Sequence, residues 1–239
     1  MTETEMQFKV YNGKNVDQMP LMLRQGVVPL SVAGFMGNRE RIIEQFGDIY
    51  ADTSDLVAYC GGRNPDEVKM ILTVDNQGKI TDNGRKVLEL INPTQERTQS
   101  GAIILSNELY DGLNFPGVIP LSRKELEKYG VDTPLTEAEV LNHPGWRVLL
   151  RHPDAVPTEF AYDKGFMEEV VGRTFRQIDQ NYLTDGMDFY FDKSEKSAKM
   201  RAWFIGRLEG GALLGRYDLA YGVGCVVGVA PEALEGRVK

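Results

Sequence analysis

The stretch from Met187 to Val229 constrains this chain most, because four short apolar-patterned runs follow one another there, separated by turn-like segments. Met187 to Asp192 alternates with period two: Met187, Phe189 and Phe191 face one way, Asp188, Tyr190 and Asp192 the other. Met200 to Leu208 does the same, with Arg201, Trp203, Ile205 and Arg207 opposed to Met200, Ala202, Phe204 and Leu208. Successive side chains of a strand point to opposite faces, so this is how half-buried antiparallel strands read. Leu213 to Tyr221 and Val223 to Val229 complete an expected C-terminal antiparallel β-meander of about four strands. In the last of them Val223, Cys225, Val227 and Val229 line one face, while Gly222, Gly224 and Gly228 leave the other nearly bare.

A hairpin through Lys193 to Met200 would set Asp192 opposite Arg201, Tyr190 opposite Trp203 and Phe189 opposite Phe204. A slip of one residue mixes the polar and apolar faces, so the pattern selects this register. The polar face then gathers Tyr190, Arg201, Trp203, Arg207 and Arg216 into a candidate ligand-binding groove above the glycine strand. Guanidinium forks suit phosphate or carboxylate, and an indole stacks on a planar ligand. Bare glycine backbone allows close approach. The same residues also form ordinary cross-strand pairs worth roughly 0.2–1 kcal/mol each, with the glycines accommodating a packed helix. That plainer reading is the stronger of the two.

Upstream, a first strand spans Gln7 to Tyr11 and ends at the turn dipeptide Asn12-Gly13. Ser31 caps an expected helix carrying Val32, Phe35, Met36, Ile42, Ile43 and Phe46, stopped by Gly47. Leu56 to Cys60, Val68 to Val74, Ala102 to Leu105 and Gly117 to Leu121 read as strands. A short helix follows Asp82. Ser122-x-x-Glu125 and Thr136-x-x-Glu139 are capping boxes that open helices. Further helices are expected from Pro144 to Arg151 and, the longest, after Pro157. Strands and helices are not interleaved as regular βαβ units, so the class is α+β. A mixed part over 1–130 is followed by helices and the meander over 131–239, with one continuous domain as the alternative.

Composition narrows the function classes. The formal net charge of −8 is opposite to what phosphate neutralisation calls for, which makes nucleic acid an unlikely partner. The two cysteines, Cys60 and Cys225, form no disulfide framework and suggest a reducing compartment. The acidic start Met1-Thr-Glu-Thr-Glu-Met6 is no signal peptide, and Ala202 to Ala230 is interrupted by charges and glycines, so no membrane span is expected. The expected location is cytoplasmic.

Chemistry-bearing patterns are sparse. His143 and His152 each precede a proline and stand nine positions apart, too far for two ligands on one helix face, so no metal is expected. Cys60, at a strand end before Gly61-Gly62, is a weak candidate nucleophile that needs a nearby base. As a small buried hydrophobe it needs nothing. The acidic pairs Asp52/Asp55 and Glu168/Glu169 suggest a metal or hydrolytic carboxylate pair, although Glu169 and Arg173 already form an i,i+4 pair. Neither G-x-S-x-G nor a dinucleotide fingerprint occurs, and no cofactor is expected. The best-supported expectation is a soluble cytosolic binding or protein-interaction protein without catalytic activity, acting on a protein partner or on itself. The alternative is a hydrolase or transferase for an anionic, phosphate- or carboxylate-bearing small molecule, held by the arginine-lined groove.

Overall fold

In the computed structural model, residues 7–98, 101–130, 133–181, 186–189, 196–206 and 224–230 are described. The strands in chain order are β1 (Phe8–Asn12), β2 (Val28–Pro29), β3 (Ala51–Cys60), β4 (Asn64–Ile71), β5 (Ile103–Ile104), β6 (Val118–Ser122), β7 (Lys199–Ile205) and β8 (Cys225–Val229). The helices are α1 (Asn15–Arg24), α2 (Val32–Gly37), α3 (Arg39–Phe46), α4 (Asp82–Leu88), α5 (Asn107–Gly112) and α6 (Arg123–Glu127). They continue with α7 (Glu137–Asn142), α8 (Pro144–Leu149) and α9 (Lys164–Asn181).

Strand β3 organises the sheet, and all ten of its residues are buried. Its second half lies between β4 and β7, both antiparallel to it. Its first half lies between β7 and β8, which runs parallel to it at Ala51 and Asp52. The partner changes across a register shift between Asp52 and Leu56. Such an irregularity re-aims side chains by interrupting the ladder, and here it turns Asp55 toward the core. Beyond these strands, β1 and β2 pair with β8, β6 with β4, and β5 with β7, giving a mixed eight-stranded sheet among the described residues. Strands from both sides of residue 130 therefore share one sheet.

Two apolar layers cover the sheet. Residues of α2, α3, α7, α8 and α9 pack on one face against Val57, Met70, Trp203, Val227 and their neighbours. Those of α1, α4 and α5 cover the other face, against Leu56, Ile71, Met200 and Val226. The period-two alternation read in β7 and β8 is real, since Trp203 and Ile205 enter one layer and Met200 and Ala202 the other. Both faces are nevertheless buried, because each carries apolar residues.

The expected C-terminal meander is not confirmed. β7 and β8 each pair with β3, and Arg201 stands opposite Val57. Met187 bridges Leu135 instead of entering a hairpin with β7. Residues 190–195 and 207–223 lie outside the described residues. Alternation reports which face a residue takes and carries no information about which strand lies alongside. At Gly228 the expected bare face of β8 is filled. A Cβ on Gly228 would come within 2.4 Å of the Met22 side chain and 2.6 Å of Val27, so the glycine serves close packing of α1 and β2.

The helix expected over Val32 to Phe46 divides at Asn38, whose side chain donates to the Gly34 carbonyl at 2.7 Å. Ser31 does cap α2 through the Gly34 N–H, and Thr136–Glu139 forms the full reciprocal box. Among the described residues no helix is long and apolar enough to cross a membrane.

Candidate functional site

Ala51 is opposite Ile205, the last residue of β7, and also opposite Cys225, the first of β8. Adjacent strands lie close to 4.8 Å apart, so the two flanking ends are separated by about 10 Å. β7 thus ends and β8 begins on one rim of the sheet. Both anchor points are held by hydrogen bonds. At the departure, Arg39 Nη2 donates to the Gly206 carbonyl at 2.7 Å and to Asp48 at 3.3 Å from a side chain only 2% exposed. At the return, the Gly13 N–H donates to the Gly224 carbonyl at 2.9 Å. Gly13 has φ of 120°, a left-handed value that glycine adopts without a steric penalty, which is why the Asn12-Gly13 turn can present its N–H there. Beside the rim the Tyr50 and Phe204 rings stack at 5.4 Å, and the Cys225 thiol donates to the Tyr50 carbonyl. Burial, reinforced by Asp52, pushes that thiol up to about 12, which keeps it protonated and unreactive.

Of the five residues proposed for an arginine groove, the two in the described structure are buried. Arg201 and Trp203 are each 1% exposed, and Trp203 packs on Phe189 with ring centroids 4.8 Å apart. Tyr190, Arg207 and Arg216 lie outside the described residues. Cys60 is 2% exposed, and its thiol faces the Lys196 carbonyl at 3.7 Å. It belongs to the layer of Leu56 and Met200, whereas His143 packs against Phe189 and Tyr129, whose rings belong to the opposite layer. The sheet therefore separates the thiol from that histidine. His152 is held by Arg147 at 3.0 Å and by the Asp154 N–H at 3.2 Å.

Of the acidic residues singled out, Asp55 has the most consequential position. It is fully buried and accepts from Arg151 Nη2 at 2.6 Å and from the Val32 N–H at 2.9 Å. Burial holds its carboxyl above the usual carboxylate range, against the pull of Arg151 and the Val32 N–H. Glu169 and Arg173 approach to 3.8 Å on α9 with the carboxylate 71% exposed, an ordinary surface pair. Among the described residues four buried cations escaped the sequence reading: Arg39, Lys69, Arg151 and Lys199. Lys69 donates to the Tyr110 and Leu113 carbonyls at 2.9 and 3.0 Å while lying over the Tyr110 ring. Nothing in an isolated Lys or Arg codon marks such a role; only the fold supplies the acceptors.

His143 performs a structural task. Its Nδ1 accepts the Gly145 and Trp146 N–H groups at 3.1 and 3.2 Å, capping α8 where a Ser or Asp more often stands. An accepting Nδ1 places the proton of the neutral ring on Nε2. Burial lowers its pKa from 6.5 to about 3. Between those two values the unfolded chain takes up a proton that the folded chain refuses, so stability falls as the pH drops below 6.5. The expected slope attributable to this ring is about 1.4 kcal/mol per pH unit. Denaturation series at pH 7, 6 and 5 on the parent and on His143→Asn, which retains a capping oxygen without titrating, should show the slope in the parent alone.

No protein-family model and no curated protein matches the sequence. The structure is similar to a solved one described as "Accommodation of massive sequence variation in Nanoarchaeota by the C-type lectin fold". The TM-score is 0.61 at 13% identity, over 95% of this chain and 99% of that chain. At such low identity the likeness is one of fold.

Proposed function

We propose that the chain is a binding protein without catalytic chemistry of its own, whose recognition surface is carried by the rim where β7 and β8 flank β3. The observation that carries the reading is the pair of anchors at Gly206 and Gly224, set on either side of Ala51 in a C-type-lectin-like fold. Recognition residues concentrate on connections whose ends a rigid scaffold holds. The similar solved structure is described as a fold accommodating massive sequence variation, which is the property such a scaffold provides. Arg207 and Arg216 fall between the two anchors in the sequence, and we assign them, with Tyr190, to contact with a protein partner, a second copy or an anionic ligand. The two buried, unpaired thiols accord with a cytoplasmic location as part of the same reading.

Native mass spectrometry of the freshly purified chain, set against its denatured mass, tests the proposal. We expect a retained mass or an oligomer that disappears in the Tyr190→Ala/Arg207→Ala/Arg216→Ala variant while the thermal midpoint moves by no more than about 2 °C. A variant that keeps its bound mass or oligomer removes the rim as the recognition surface. Chemical conversion of a retained ligand on incubation removes the non-catalytic reading.

A further inference from the structure

At the other end of β8 an open cleft of about 380 Å³ lies between the start of α2, the turn at Asn76–Gly78 and the entry to α9. Val229 lines it, four residues along β8 from the rim, roughly 13 Å at the rise of a strand. Its volume falls within the range of small-ligand sites. One wall is aromatic: Tyr162 and Phe166 meet edge to face with centroids 4.7 Å apart. Ala33, Gly34 and Gly37 also line it, with the Phe166 ring packed against Gly37.

The amide and carboxylate groups that line the cleft offer acceptors. Asn76 spends both amide protons on the Thr158 and Ala161 carbonyls, at 3.1 and 3.2 Å, which leaves its Oδ1 as the uncommitted end. Asn38 spends an amide proton on the Gly34 carbonyl, which leaves its Oδ1 as an acceptor, while the Ser31 hydroxyl accepts the Gly34 N–H and keeps its own proton to donate. Asp163 is the only charged side chain among the described lining residues, it is exposed, and its carboxylate has no ion-pair partner among the described residues. A carboxylate, amide oxygens and aromatic rings together select a donor-rich cation, and anions meet no matching charge. The formal net charge of −8 favours the same sign of ligand.

We propose that this cleft is a second binding site, separate from the rim, for an organic cation: a guanidinium or ammonium group, with Asp163 as its counter-charge and Tyr162 and Phe166 as its aromatic wall. The group reaches the cleft either on a small amine or as an Arg or Lys side chain of a peptide, two sources with one chemistry.

Titration of the full chain with butylguanidinium, its neutral isostere butylurea and the peptide acetyl-Gly-Arg-Gly-amide, followed by two-dimensional NMR, decides the matter. The expected result is saturable binding of butylguanidinium that weakens roughly tenfold in Asp163→Asn, with butylurea weaker by a similar factor. Shifts should map to Gly34, Gly78 and Phe166 amides. Asp163→Asn replaces an exposed carboxylate with its isostere, so folding is retained and any loss of binding is attributable to charge. Equal affinity for the urea, an unchanged affinity in Asp163→Asn, or no shifts up to about 10 mM would each overturn the proposal. Within a positive result, peptide binding as tight as that of the free cation assigns a chain-borne side chain, and binding of the free cation alone assigns a small amine.

Discussion

Arg151→Ala is expected to lower the free energy of unfolding by about 3–5 kcal/mol, because it strands the Asp55 carboxylate in the core. Both side chains are essentially without solvent contact, at 1% and 0% exposure, and their atoms approach to 2.6 Å. The pair joins three elements: β3 carries Asp55, α8 ends just before Arg151, and the Val32 N–H at the start of α2 donates to the other carboxylate oxygen. Arg151 accomplishes this from a backbone conformation that usually favours glycine, with φ of 61°. The His152 N–H donates to the Arg147 carbonyl and the Arg151 N–H to the Val148 carbonyl, the paired bonds of a Schellman ending. A non-glycine residue in that left-handed position costs about 1 kcal/mol. Arg151→Gly should therefore recover about that much relative to Arg151→Ala while still losing the ion pair. Replacing both partners, as in Asp55→Leu/Arg151→Met, removes the charge that either single change leaves behind and should be far milder than the sum of Arg151→Ala and Asp55→Ala. Urea denaturation of these variants at pH 7 reads all of them. A loss below about 1 kcal/mol in Arg151→Ala would mean that water reaches the carboxylate and that the pair is not what ties the three elements.

That pair also shows where sequence reading stopped. Ser31, Thr136 and Pro144 signalled helix starts through local chemistry, and all three are where the chain begins a helix. Local rules suffice when donor and acceptor lie within four residues of each other. Asp55 was visible as half of an acidic pair, but its partner lies 96 positions away, and no pattern in the sequence links them. The first half of β3 was missed for a related reason: Ala51-Asp-Thr-Ser-Asp55 offers no apolar alternation, and its burial depends on partners such as the Trp203 carbonyl, which accepts from Thr53 at 3.0 Å. α1 was overlooked because Pro20 interrupts its pattern and Lys14 provides no side-chain cap. At the C-terminal end the alternation assigned faces correctly for Met200, Ala202, Trp203 and Ile205 and yet misled on neighbours. Half-buried strands of one sheet and fully buried strands inserted into another share the same period, and Arg201 on the Trp203 face made the strand look solvent-facing. The rim itself was illegible, since Ile205 and Cys225 become neighbours of one residue only once β3 passes between them.

Trp203 separates the two accounts of that face most sharply. As a ligand-stacking platform it would be dispensable for folding, and Trp203→Ala would change stability by no more than about 0.5 kcal/mol. As placed, it lies in the apolar layer with Trp146, Leu149 and Phe189, and truncation to alanine should cost about 3–5 kcal/mol through lost burial and the void left behind. Trp203→Phe provides the internal control. The indole N–H has no hydrogen-bond partner among the described residues, so a phenyl ring forfeits volume without orphaning a polar contact there, and the expected cost is below about 2 kcal/mol. The ring geometry adds a spectroscopic readout: Phe189 lies 4.8 Å from Trp203 and 4.3 Å from His143, tilted 43° to each. Trp203→Ala should therefore change the near-ultraviolet circular dichroism and loosen His143, letting its folded-state pKa rise back toward 6.5 and so flattening the loss of stability on the acid side. If Trp203→Ala instead folds with the parent's denaturation midpoint and spectrum, the face is open after all, and Arg201 and Trp203 return to the list of ligand contacts.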